Sequence, residues 1–219
     1  MKARILVWLV ALFCCHNALF AQKEFVNASA RLSGHPRILL QKGEEKALKK
    51  VIMKDAVWKD IHQSLVDEAE EIVKLPLNER IKTGRRLLSV SRENLRRIFI
   101  LSYAYRMTGK SEFLKRAESE MLKAASFSDW NPSHFLDVGE MTMALAIGYD
   151  WLYPQLSVQT KEAIEKAIVE KGLKPSFDER YNWFVNAVHN WSQVCHAGVT
   201  YGALAIWEKE PELSRTVIN

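Results

Sequence analysis

Apolar residues recur at spacings of three and four along most of this chain, and that period predicts a run of α-helices. Between residues 42 and 54, Ala47, Leu48, Val51 and Ile52 form one stripe. Between residues 57 and 74, Ile61, Leu65, Ala69, Ile72 and Val73 form a second. Pro76 and Asn78 break the chain. Helical spacing resumes over residues 85–107 through Leu95, Ile98, Phe99, Leu101, Ser102 and Tyr105, and Gly109 supplies the stop. Ser111 is placed to cap a helix over residues 112–125. Asn131-Pro132-Ser133 opens a nearly apolar helix over residues 135–151, and Pro154 and Ser157 separate it from another over residues 159–170. Gly172-Leu173-Lys174-Pro175-Ser176 reads as a break, residues 178–185 as a short helix, residues 189–207 as a long buried helix, and residues 212–218 as the start of a last one.

The links between these segments are short and no strand pattern intervenes. The expected fold class is therefore all-α, built of antiparallel helix hairpins. Such an array stays open or curls into a toroid, and no repeat of fixed period marks a regular solenoid. Gly198 and Gly202, four apart, suit a close helix–helix approach. The final helix has no partner within the sequence to bury Leu213, Val217 and Ile218, so the chain reads as truncated at its C-terminal end.

The first residues fall outside this pattern. Met1-Lys2-Ala3-Arg4 is basic, residues 5–15 are apolar but too short to span a bilayer, and Ala21 offers a cleavage point before Gln22. Residues 1–21 thus read as a signal peptide, residues 22–41 as a loose lead-in and residues 42–219 as the helical domain. The protein is then periplasmic or secreted, with no stable membrane span. A lipoprotein using Cys14 or Cys15 is the other reading, against which the bulky Leu12 and Phe13 count. Cleavage removes Lys2 and Arg4, taking the net charge from +5 to +3, and removes Cys14 and Cys15, leaving Cys195 alone among three cysteines. A lone cysteine makes no internal disulfide, so packing must hold the fold. The mild positive balance suits an anionic partner. No patch of basic and aromatic residues of the nucleic-acid-binding kind accompanies it, so an acidic polysaccharide or oligosaccharide is the expected partner.

Two segments collect chemistry-bearing side chains. One runs from Phe127 through Asp129, Trp130, Asn131, His134 and Asp137 to Glu140. The other runs from Trp183 to Tyr201 and centres on His189-Asn190-Trp191-Ser192-Gln193-Val194-Cys195-His196. Both lie at helix starts, which hairpins can bring to one end of a bundle. Asn190 and His189 are the candidates for chemistry. Trp130, His134, Gln193, His196 and Tyr201 are candidates for sugar contact, since indole and phenol faces pack on the C–H faces of sugar rings. Plainer roles stand beside these. Asn190 and Gln193 suit helix capping, His189 a surface helix start, Trp130 and His134 hairpin packing, and Cys195 a small buried apolar residue. His189, Cys195 and His196 do not converge on one helical face, so no metal is expected, and nothing calls for a cofactor.

Four blocks, His35-Pro36-Arg37-Ile38-Leu39-Leu40, residues 129–157, Lys171-Gly172-Leu173-Lys174-Pro175-Ser176 and residues 189–208, occur in an order and spacing that together resemble the heparinase II/III-like polysaccharide lyases, specifically their N-terminal (α/α) toroid. The resemblance covers residues 35–219. It implies an incomplete toroid and β-elimination at uronic acids, with Asn190 neutralising the C5 carboxylate. Trp191 stands where some members of that family carry His, which leaves His189 or His196 to compensate. The family's Tyr and its β-sandwich lie beyond residue 219, so the resemblance implies an N-terminal fragment incomplete as an enzyme. Two other functions remain open on the residues alone: a glycoside hydrolase using Asp137, Glu140 or Asp150 as acid, and a non-catalytic helical glycan-binding module.

Overall fold

The computed structural model describes Leu32 and residues 34–219. The expected signal peptide lies outside the described residues. Among those described there are eight α-helices and no β-strand, so the fold is all-α. The helices are α1 (Glu45–Lys54), α2 (Ala56–Lys74), α3 (Leu88–Thr108), α4 (Ser111–Ser126), α5 (Phe135–Leu152), α6 (Val158–Ala167), α7 (Asn190–Ala205) and α8 (Pro211–Ile218). None is long and apolar enough to cross a membrane.

Local chemistry sets most of the boundaries. Asp55 leaves the helical region and its carboxylate accepts from the amides of Val57 and Trp58, which starts α2. Gly109 ends α3 in the left-handed region at φ 77°, and its N–H returns to the Tyr105 carbonyl at 2.7 Å. The Ser157 hydroxyl accepts from the Thr160 amide and caps α6. Ser111 does not cap α4 as expected. It is the first helical residue, and Lys110 before it makes no side-chain cap. The expected break at residues 172–176 is also softer than glycine and proline suggest. Helix α6 runs on into a wide π turn, Ile168–Leu173, and then a 3₁₀ turn, Lys174–Phe177. Glycine suits the close packing inside that turn: a methyl on Gly172 would sit 2.6 Å from Thr142 Oγ1 on α5.

Alternate helices, two apart in sequence, pack side by side. One row is α3 on α5 and α5 on α7; the other is α2 on α4 and α4 on α6. Helix α5 is the centre, buried along its length except at Glu140 and Met143. A nearly uniform apolar helix is what such a position demands. Its crossing with α7 is glycine on glycine, since a methyl at Gly198 would overlap the backbone of Gly139. Gly202, one turn on, faces Thr142 in the same way. Rows α3 and α4 are joined by a buried ion network. Glu120, fully buried, receives Arg97 Nη1 at 3.0 Å and Arg116 Nη2 at 2.7 Å.

Two expected burial patterns change. The stripes on α1 and early α2 are thinly covered: Val51, Val57 and Ile61 are exposed, and Ile52 alone is buried on α1. Only the later turns of α2, at Val66, Ala69 and Ile72, reach the core. Leu213, Val217 and Ile218, expected to lack a partner, are half-buried because α8 packs on α7. The end of the segment expected as a loose lead-in is docked as well. Asp150, fully buried on α5, accepts from the amides of Arg37 (2.9 Å) and Ile38 (2.8 Å) and from His35 Nδ1 (2.6 Å). His35 Nε2 lies 2.7 Å from Arg37 Nη2 and 3.6 Å from the Glu208 carboxylate.

Candidate functional site

The start of α5 is organised around one carboxylate. Asp137 is fully buried. Its Oδ2 accepts from the Leu87 amide and from Asn131 Nδ2, both at 2.6 Å, and its Oδ1 pairs with His134 Nδ1 at 2.7 Å. Asn131 sits in the left-handed region at φ 59°, ψ 61°, a conformation asparagine tolerates better than most residues. Its amide also donates to the Arg85 carbonyl at 2.8 Å. The turn before α3, closed by Thr83 and Arg86 and bent at Gly84 (φ 60°), is therefore pinned to the mouth of α5.

Asp137 Oδ2 accepts from two groups that can only donate, and His134 Nδ1 is placed to donate to Oδ1. That leaves His134 Nε2, buried and without a hydrogen-bond partner among the described residues. The His134 ring, 3% exposed, lies edge-to-face on the Trp191 indole with centroids 5.2 Å apart. The two chemistry-bearing segments thus meet at one place, as their positions at helix starts suggested. Trp183 and His189 extend the cluster: Trp183 lies 5.6 Å from Trp191 and 5.9 Å from His189.

The candidate residues separate into groups. Asn190 is exposed on the first turn of α7, and Gln193, one turn on, is exposed on the same side. His189 caps α7: its Nδ1 accepts from the Trp191 amide at 3.3 Å. Asn190 does not fill that role. Gln193, with Arg92, Arg96, Glu140, Leu95, Met143, Val194 and Ala197, lines an open groove of about 590 Å³ between α3, α5 and α7. A second groove of about 540 Å³, lined by Arg85, Arg86, Ser89 and Arg92, adjoins it through the shared Arg92. Burial, with the neighbouring Asp137 charge, holds the Glu140 carboxyl above its ordinary range even though Arg92 Nε lies 3.1 Å away.

Three candidates fall elsewhere. Trp130 is fully buried and its Nε1 donates to the Ala124 carbonyl at 3.0 Å, so it packs a hairpin and presents no face to a sugar. His196 binds back to the Ser192 carbonyl at 2.8 Å and lines a different groove with Phe177, Phe184 and Val217. Tyr201 is eleven residues beyond Asn190, roughly 16 Å along the helix, and does not join the cluster. His134, read as a sugar contact, is instead buried and paired with Asp137. The spacing Asn131, His134, Asp137 carried the signal for that hub, but spacing does not say that the ring turns inward. Burial, with the charges of Glu140 and Asp137, pushes the Cys195 thiol up to about 12, so it is an inert packing group. Among the described residues no cluster of three or more potential metal ligands occurs. No family model matches the chain, and no curated protein matches it.

Proposed function

We propose that this chain is the incomplete toroid part of an exported polysaccharide lyase that cleaves uronic-acid-containing glycans by β-elimination. One observation carries the reading. Asn190 and Gln193 present exposed amides on one side of the opening turns of α7, and Gln193 lines a groove with Arg92, Arg96 and Glu140 and with the apolar Leu95, Met143 and Val194. Arginines suit the carboxylates of an acidic glycan, and the apolar residues suit the C–H faces of its rings. In the reaction the C5–H bond breaks, its electrons form the C4=C5 double bond, and the C4–O4 bond breaks with O4 taking a proton. Asn190 hydrogen-bonds the C5 carboxylate, where negative charge builds as the proton leaves.

The hydrolase alternative has less support. Asp137 and Asp150 are fully buried with their oxygens engaged, which leaves Glu140 without a second carboxylate across a cleft. The test is incubation with alginate, polygalacturonate and hyaluronate, with dextran as the neutral control. The expected outcome is slow growth of ultraviolet absorbance from an unsaturated uronate with at least one polyuronate, the residual turnover of an incomplete site, reduced about a hundredfold or more in Asn190→Ala. New reducing ends without that absorbance indicate a hydrolase. Polyuronate binding without turnover, unchanged in Asn190→Ala, indicates a binding module.

A further inference from the structure

Burying a polar atom without a partner costs about 1–3 kcal/mol, and His134 Nε2 is such an atom at the meeting point of α5 and α7. The rest of the imidazole is fully specified. Nδ1–H donates to Asp137, Asp137 is fixed by the Leu87 amide and by Asn131, and the ring is held by Trp191. A neutral ring so held has its only unshared lone pair on Nε2. A buried carboxylate behind Nδ1 also stabilises the imidazolium that forms when Nε2 takes a proton. Trp191, half-buried in the first turn of α7 and next to Asn190 in the chain, is the aromatic neighbour of this ring from α7. The other two imidazoles, His189 and His196, are exposed and use Nδ1 on the α7 cap and on the Ser192 carbonyl, with no carboxylate behind either ring among the described residues.

We propose that His134 is the proton-transfer group of this site, held ready by Asp137 and covered by Trp191 until a uronate displaces the indole. The inference rests on the lyase reading and adds to it the identity of the base. The C5 proton passes to Nε2, the C5–H electron pair becomes the C4=C5 bond, and O4 departs. The proton on Nε2 then passes to O4, which returns the imidazole to its neutral state. A single group on one face of the sugar serves both transfers, and no other reactant is needed.

The test uses the full chain and separates binding, base action and cover. Oligosaccharides of alginate, polygalacturonate and hyaluronate are titrated for binding, and exchange of their C5 hydrogen with D₂O is followed by NMR, a readout that requires proton removal but no bond cleavage. Wild-type protein is expected to exchange C5–H on the oligosaccharide it binds. His134→Gln is expected to bind it equally and to exchange about a hundredfold more slowly or worse. Acylation of histidines by diethylpyrocarbonate, read by mass spectrometry, provides a second variant. His134 should be protected in the wild type, and in Trp191→Ala should react as fast as the exposed His189. Binding with neither exchange nor unsaturated product, or either of these unchanged in His134→Gln, overturns the role of His134 alone. Binding of none of the three overturns the lyase reading itself. Protection of His134 that persists in Trp191→Ala overturns the assignment of Trp191 as the cover.

Discussion

Asp137 joins three stretches of chain with two oxygens: the Leu87 amide before α3, the Asn131 side chain in the turn before α5, and the His134 ring within that turn. An asparagine at this position keeps the shape but turns one acceptor into a donor, which then faces another donor in a space without water. Asp137→Asn is therefore expected to destabilise the fold by about 3 kcal/mol, as removal of one partner from a buried charged network does. Denaturant titration measures the loss. The imidazole ¹⁵N signals of His134 provide a second readout: the Nδ1–H tautomer should dominate in the wild type and lose its preference in the variant. A destabilised protein that keeps the tautomer shows Asp137 acting on the fold only, with no part in orienting the ring.

Among the elements, the α5–α7 crossing is the least tolerant of change. Gly198→Ala places a methyl into the backbone of Gly139, where no flexible side chain can give way. Overpacking against backbone is expected to cost about 3 kcal/mol or more, seen as a lowered denaturation midpoint. Gly84→Ala, with open space around its position but φ at 60°, supplies the milder contrast, about 1 kcal/mol. The period of apolar residues made most helices legible, and the paired glycines on α7 made one close contact legible. Gly139 opposite them went unread because a single glycine in an apolar helix has no local signature. The stripes on α1 and early α2 misled because periodicity marks which face is apolar, not whether a neighbour covers it. The π turn at Ile168–Leu173 packs closely on Thr142 and Trp130, residues distant in sequence, and no local pattern announces it. At the candidate site the meeting of the two helix starts was legible from their positions, whereas the inward turn of His134 and the burial of Trp130 depend on packing.

Across the whole helical body, the segment from His35 to Ile38 is fastened to the end of α5 by Asp150 and to Glu208 through Arg37. Burial works to raise the Glu208 carboxyl, but its interactions with His35 and Arg37 outweigh this and lower it from 4.5 to about 2. A carboxyl lowered on folding contributes stability above its unfolded value, and that contribution disappears as pH falls through its folded value. Stability should therefore decline between about pH 4.5 and pH 2 with a share owed to Glu208. Glu208→Gln should flatten that part of the profile, as denaturation midpoints measured across the range would show. Parallel profiles for the two proteins would assign the decline to other groups. The glycine crossing, finally, works as a gauge. With no side chain between them at Gly139 and Gly198, α5 and α7 meet backbone to backbone, and that close approach sets how far the imidazole before α5 lies from the amide on α7. On the proposed lyase reading, widening it by on the order of an ångström would take the pair out of register with a single sugar ring, a displacement large enough to cost about a hundredfold in rate. On that same reading, a methyl group buried well away from the sugar would impair the chemistry even in a molecule that remained folded.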